Sequence, residues 1–259
     1  MTLKKFIPFF AIIIALFSCE KGLDEPTLII DVDDEYLITP VEVIAPGLRT
    51  IAFEVESIDN KSCENWTINY ESTSDPVFWD IAISGFIEPL QCLGLPDKAR
   101  AVIPFDSKIP NLLEIEFSIN QTLKSQGTVN LKEREYAFNF LEDPGFEFIY
   151  TRLNKIPQNL VWGYIGTNSI NLKDSVNSMQ GQLHELGQTP QLTDGQYTGF
   201  RVVNNNINLD IETPDYFQVI QLGTQIGTIN NLKAKIEELN LLASTDFELQ
   251  LFAGDGTPF

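Results

Sequence analysis

From Tyr36 to about Thr151 the chain alternates apolar and polar residues with a period of two, and that alternation confines this stretch to strands. Ile51, Phe53 and Val55 alternate with Ala52, Glu54 and Glu56. Trp66, Ile68 and Tyr70 alternate with Thr67 and Asn69, and Ile115, Phe117 and Ile119 with Glu114, Glu116 and Ser118. Further strand-like runs are Val77–Ser84, Ala99–Pro104, Thr128–Leu131, Glu135–Leu141 and Phe146–Thr151. Turn residues separate them at Ala45-Pro-Gly, Ile58-Asp-Asn, Ser74-Asp-Pro, Gln126-Gly and Asp143-Pro-Gly.

Short, regularly spaced strands without a helical period predict a β-sandwich over 36–151, with an Ig-like topology. The period changes after Pro157, and 152–158 reads as the boundary. Leu160–Gly166 reads as a strand. Leu172, Val176, Met179, Leu183 and Leu186 then form one apolar stripe of a helix, capped by Asn171 and ended by Gly187. Strand runs follow at Gly195–Val203 and Ile207–Gly223, the second interrupted near Pro214. Leu232, Ile236, Leu239 and Ala243 share the face of a second helix, with Lys233 and Glu237 spaced as an i, i+4 pair. Phe247–Phe252 is a last strand. The order βαββαβ predicts a ferredoxin-like α+β domain over 157–259, making the whole a β-rich, two-domain chain.

The N-terminus carries a different kind of signal. Lys4 and Lys5 precede an uncharged apolar run from Phe6 to Phe17, which is too short to span a bilayer and has the layout of a secretory signal over residues 1–18. The run ends in Leu16-Phe17-Ser18-Cys19, which resembles the lipobox of bacterial lipoproteins. That resemblance implies cleavage before Cys19 and lipidation (palmitate among the acyl groups) of its thiol. The following Cys19-Glu-Lys-Gly-Leu-Asp-Glu resembles the surface-export signal of Bacteroidetes lipoproteins, implying outer-membrane residence with the domains facing outward. Residues 19–35 read as an acidic tether. Asp31-Val-Asp-Asp-Glu35 has the carboxylates a calcium ion wants, but not the glycine and ligand spacing of a calcium loop.

Once Cys19 is assigned to lipid, Cys63 and Cys92 remain, and outside the cytoplasm such a pair is most simply a disulfide. Cys63 would precede one strand and Cys92 follow another. The formal charge of −19, more negative still once Lys4 and Lys5 are cleaved away, excludes nucleic acid as a partner, because phosphates demand Lys and Arg clusters. Hydrophobic residues at 43% suffice for packed cores.

Catalytic constellations are scarce. His184 is the one histidine, so any Ser-His-Asp or Cys-His arrangement would have to use it; its place off the apolar stripe predicts a surface residue. No Gly-x-Ser-x-Gly motif accompanies it. Asp80, in Phe78-Trp-Asp-Ile-Ala, is flanked by aromatics as a sugar-binding acid would be, although an outward strand position explains it equally. The pairs Phe78-Trp79 and Trp162-Gly-Tyr164 suit either sugar stacking or core packing. Gly163, Gly166, Gly223 and Gly227 sit at strand ends and form no phosphate loop. Asp174-Ser175-Val176 matches the Asp-Ser/Thr-aliphatic motif of Bacteroidetes O-glycosylation, making Ser175 a candidate acceptor, whereas the Asn-x-Ser/Thr triplets at Asn60, Asn65 and Asn120 carry no weight in a bacterium. No metal or cofactor is expected.

These readings predict a lipid-anchored, non-catalytic protein that acts by protein interaction, as an accessory subunit of an envelope complex. The alternatives are a binder of glycans or another small ligand, and a carboxylate-dependent hydrolase. The Cys63–Phe86 stretch, with Trp-Asp-Ile-Ala inside it, faintly resembles the HmuY-like haem-binding lipoproteins. That family's ligating histidines have no counterpart here: His184 stands alone in the other half, and Met179 lies on the apolar stripe.

Overall fold

A computed structural model of the chain describes residues 35–106, 108–141, 145–223, 228–239 and 245–259. The signal segment 1–18, the lipidation position Cys19 and all of the tether except residue 35 lie outside the described residues, as do Asp143 and Pro144 of one expected turn, Gly227, and Ala243 of the second helical stripe.

The alternating first half forms ten strands: β1 (Tyr36–Ala45), β2 (Leu48–Lys61), β3 (Thr67–Ser74), β4 (Phe78–Ile87), β5 (Asp97–Pro104), β6 (Leu112–Ile119), β7 (Leu123–Leu131), β8 (Glu135–Phe140), β9 (Phe146–Phe148) and β10 (Arg152–Asn154). They make one continuous sheet in the order β10-β8-β7-β6-β4-β3-β5-β2-β1-β9. The stretch 146–154 joins the two edges of that sheet. It starts as β9, parallel to β1, and the Ile149 N–H still donates to the Ile38 carbonyl at 3.0 Å. Two residues later the Thr151 carbonyl accepts from the Phe138 N–H at 2.9 Å, and β10 continues antiparallel to β8. The sheet therefore curls onto itself, which removes its exposed edges. Its loosest seam is between β3 and β5, where Thr67 opposite Arg100 is the one registered pair.

Alternation places Phe53, Trp79, Phe117 and Phe138 inside this β-sandwich-like body. Phe53 is the hub, stacked on Trp79 at 5.1 Å and edge-on to Phe117 at 5.1 Å and Phe138 at 6.0 Å. Two expected turns prove to lie within strands. Ile58-Asp-Asn is a register shift inside β2, between Glu56 and Asn60. Gln126-Gly127 lies inside β7, where any side chain at residue 127 would collide with the Phe140 ring. The Ser74-Asp-Pro turn does connect β3 to β4; the Asp75 carboxylate accepts from the Val77 and Phe78 N–H groups, each at 2.8 Å.

The second half contributes β11 (Leu160–Thr167), α1 (Lys173–His184), β12 (Gly195–Tyr197), β13 (Phe200–Val203), β14 (Asn206–Leu209), β15 (Tyr216–Gly223), α2 (Thr228–Glu238) and β16 (Glu248–Ala253). Helix α1 follows a short 3-10 turn, Ile170–Leu172, so its cap is Leu172 and not Asn171. The expected Lys233–Glu237 pair is replaced by Lys235 with Glu238, while Lys233 lies over the Phe259 ring.

A ferredoxin-like sheet needs four strands. Here three of them, β15, β11 and β16, form an antiparallel sheet with β11 in the middle, backed by both helices through Val161, Ile165, Val176, Leu183, Leu232 and Ile236. The fourth does not join. Beyond β15, among the described residues, there is an isolated bridge from Gln188 to Gly223 and no further strand. The run expected to supply that strand is folded instead into a separate meander, β12-β13-β14. Gly199, at φ +78°, reverses the chain inside the Gly195–Val203 run, and the next run breaks after Leu209, with Pro214 in the connection that leads to β15. Tyr197, Phe200, Val202 and Ile207 of the meander pack with Leu160 and Trp162 in a third core. Strand β11 is thus buried on both faces, which is why it reads as an unbroken apolar run.

Candidate functional site

Three features beyond ordinary packing emerge: a buried charge clamp, a cleft beside it, and a disulfide-closed loop.

The clamp is centred on Glu42. In β1 the inward-facing parity runs Tyr36, Ile38, Pro40 and then Glu42, so alternation carries a carboxylate into the interior. One Glu42 oxygen accepts from the Tyr136 hydroxyl at 2.9 Å and from Arg49 Nη1 at 3.1 Å; the other accepts from the Ile156 N–H at 2.8 Å. Arg49 also donates to the Ile156 carbonyl at 2.7 Å and, through Nη2, to the Gly254 carbonyl at 2.6 Å. The Glu42 N–H donates to Thr198 Oγ1 at 2.5 Å. One ion pair thereby links β1, β2 and β8 of the curled sheet to three separate segments of the second half. Burial pushes the Glu42 carboxyl up from its ordinary range, opposed by the Ile156 N–H, the Arg49 guanidinium and the Tyr136 hydroxyl. Burial and the neighbouring Glu42 charge likewise raise the Tyr136 phenol, and burial lowers the Lys155 ammonium. A carboxylate with every oxygen engaged is suited to holding two layers in register.

Beside the clamp lies a cleft of about 590 Å³ between β1–β2 and the meander. Its deep wall is apolar and buried, with Ile156 and Trp162. Two exposed carboxylates, Glu54 and Asp210, stand at its mouth. The Asp210 carboxylate accepts from Gln196 Nε2 at 2.6 Å.

The loop is the one between β4 and β5. Cys63, just after β2, is bonded to Cys92 in this loop, with Cα atoms 5.5 Å apart, the pairing expected of the two cysteines. The Glu64 N–H donates to the Leu93 carbonyl at 3.3 Å. Gly94, at φ +81°, turns the chain where a side chain would meet the Glu64 carboxylate. The staple holds out leucines: Leu90 is 105% exposed, Leu93 65% and Leu95 76%.

The other expected residues fall as follows. His184 is half-buried rather than a surface residue; its Nε2 is buried without a hydrogen-bond partner, and burial holds the imidazole below its ordinary value. It lies at the C-terminal end of α1, whose other inward residues Met179 and Leu183 pack into the second core. Asp80 stands opposite Glu116 across β4 and β6, beside Lys124 on the polar face of the sheet. Lys124 holds the Glu116 carboxyl below the usual range. Trp79 is core, donating Nε1–H to Ser72 Oγ at 2.8 Å. Trp162 is buried, stacked on Phe252 at 4.4 Å and packed against the tilted Phe200 ring at 4.6 Å, so it serves as core packing and not as an open stacking platform. Tyr164 is buried and bonded to Glu248, and the two drive its phenol up to about 12. Ser175 is half-buried in the first turn of α1. Among the described residues no group of three or more His, Cys, Asp or Glu is placed to hold a metal ion, and no helix is long and apolar enough to cross a membrane.

Sequence reasoning missed Glu42, Arg49 and Tyr136. The signal available was a charge at an inward parity position. Comparison with family models, with curated proteins and with solved structures finds no match to this chain.

Proposed function

We propose that the chain is a non-catalytic, lipid-anchored interaction module of the outer-membrane surface, which docks on another envelope protein through the loop between Ile87 and Asp97. The observation that carries this reading is the trio Leu90, Leu93 and Leu95, held in water by a disulfide. Exposed apolar side chains on a constrained loop mark a contact surface, because covering them recovers hydrophobic free energy with little further ordering. A chain at −19 repels anionic lipid headgroups, which favours a protein over a bilayer as the cover. The lipid at Cys19 supplies the membrane attachment and the loop supplies the partner contact. In the same reading the curled sheet is an Ig-like sandwich closed by 146–154, and the sheet β15-β11-β16 with α1 and α2 is a ferredoxin-like domain whose second strand has become the meander.

The test is site-specific photocrosslinking from position 93 in native membranes. A discrete protein adduct is expected, lost when Leu90 and Leu95 are changed to Ser. Adducts to lipid alone, or none, would overturn the proposal. Palmitate labelling that persists in Cys19→Ser would remove the anchor from it.

A further inference from the structure

The cleft beside the clamp has a charge signature that selects a ligand class. About 590 Å³ falls within the range of small-molecule sites. Among the described residues that line it, none is Lys, Arg or His. Arg49, which reaches the lining residue Glu42, is spent on that carboxylate and on two backbone carbonyls, so it presents no free charge to a ligand. Glu54 and Asp210, by contrast, have no ion-pair partner among the described residues. The mouth is therefore negative and the floor apolar.

This combination disfavours anions: a phosphate, a carboxylate or a propionate would meet two uncompensated carboxylates. It also disfavours stacking of a neutral sugar, since the Trp162 ring is 4% exposed and already stacked on Phe252. An organic cation with an apolar body fits both surfaces. Its charge would be balanced at the mouth, and its body would cover the buried wall around Ile44 and Ile156.

We propose that this cleft binds a small amphiphilic cation, with the cationic head at Glu54 and Asp210 and the apolar body against Ile44, Ile156 and Ile211. The site is independent of the leucine loop, which lies at a different end of the strands.

The test uses calorimetric titration of the full chain with three probes of similar tail, each below its micelle concentration: decyltrimethylammonium, octyl glucoside and decanoate. The cation is expected to bind at least tenfold more tightly than the neutral probe, and decanoate not at all. Asp210→Asn combined with Glu54→Gln should reduce cation affinity at least tenfold and leave the neutral probe unchanged. Unchanged affinity for the neutral probe shows that the cleft of the double variant is intact, although Asp210 loses the charge that accepts from Gln196. Ile211→Trp, which fills the cleft without touching its charge, should abolish binding of both probes. Cation binding that survives Ile211→Trp would be attraction to the overall negative charge and would overturn the proposal. So would equal binding of all three probes, preference for the neutral glucoside, or no binding.

Discussion

Single residues in this protein do work that their neighbours' pattern conceals. Glu42 occupies a position whose parity belongs to the core, and it is tolerated there because Arg49, Tyr136 and the Ile156 N–H satisfy it. Removing one member of such a buried set leaves the other uncompensated. Glu42→Ala is therefore expected to lower the unfolding free energy by about 3–5 kcal/mol in urea titration. Glu42→Ala with Arg49→Ala should cost clearly less than the two single losses added together. His184 gives a pH signature. Its folded-state pKa lies below the ordinary 6.5 because burial penalises the imidazolium, so the unfolded chain takes up the proton first. The neutral ring's contribution is complete above the unfolded value and is lost as pH falls from about 6.5 toward the folded one. Urea midpoints of the parent chain should fall more steeply between pH 7.5 and 5 than those of His184→Gln. Parallel slopes would contradict this.

Elements are joined here by a few specific devices. The Cys63–Cys92 bond closes a loop of sequence separation 29 that contains β3 and β4. On the chain-entropy model its removal by Cys63→Ser with Cys92→Ser costs about 3–4 kcal/mol, read as a lowered thermal midpoint. The loop it closes includes β3, which meets β5 through one registered pair, Thr67 with Arg100. Gly163 is the matching device in the second half. At φ +145° it lets the Gln250 carbonyl of β16 approach where any side chain would clash. Gly163→Ala should destabilise by more than about 1 kcal/mol and loosen β16, seen as faster amide exchange along 248–253.

At the scale of the molecule, the described residues from 35 to 259 cluster as one unit although they hold three apolar cores. The curled sheet and the second half meet through the clamp and through Gly256, which lies against the Ala45 backbone. Calorimetry of the intact chain is expected to give one cooperative transition. Arg49→Ala, which breaks the contacts to both Ile156 and Gly254, should separate it into two. Two transitions in the parent chain would show that the clamp does not couple the halves.

Much of this architecture was legible in the residues alone. A period of two over 36–151 and a period near 3.6 at 172–186 reflect which side of each element must leave water, and that requirement is local. The disulfide was legible because reading Cys19 as a lipidation position leaves Cys63 and Cys92 as a pair. Other features were not. Ile58-Asp-Asn carries turn residues yet forms a bulge, because only the β5 partner decides whether a strand turns or slips register. The meander was hidden because a strand's pattern shows that it pairs, never with which strand; Gly199 and Pro214 gave the breaks, but the Trp162 wall decided where the pieces went. Sequence by itself determined the strand-rich class, the two helices, the cysteine pair and the scarcity of catalytic groups. Tertiary structure alone decided the closure by 146–154, the partners of Glu42 and the cleft, because each draws on segments far apart in the chain, up to 205 positions at Arg49 and Gly254, whose meeting depends on the whole chain's packing.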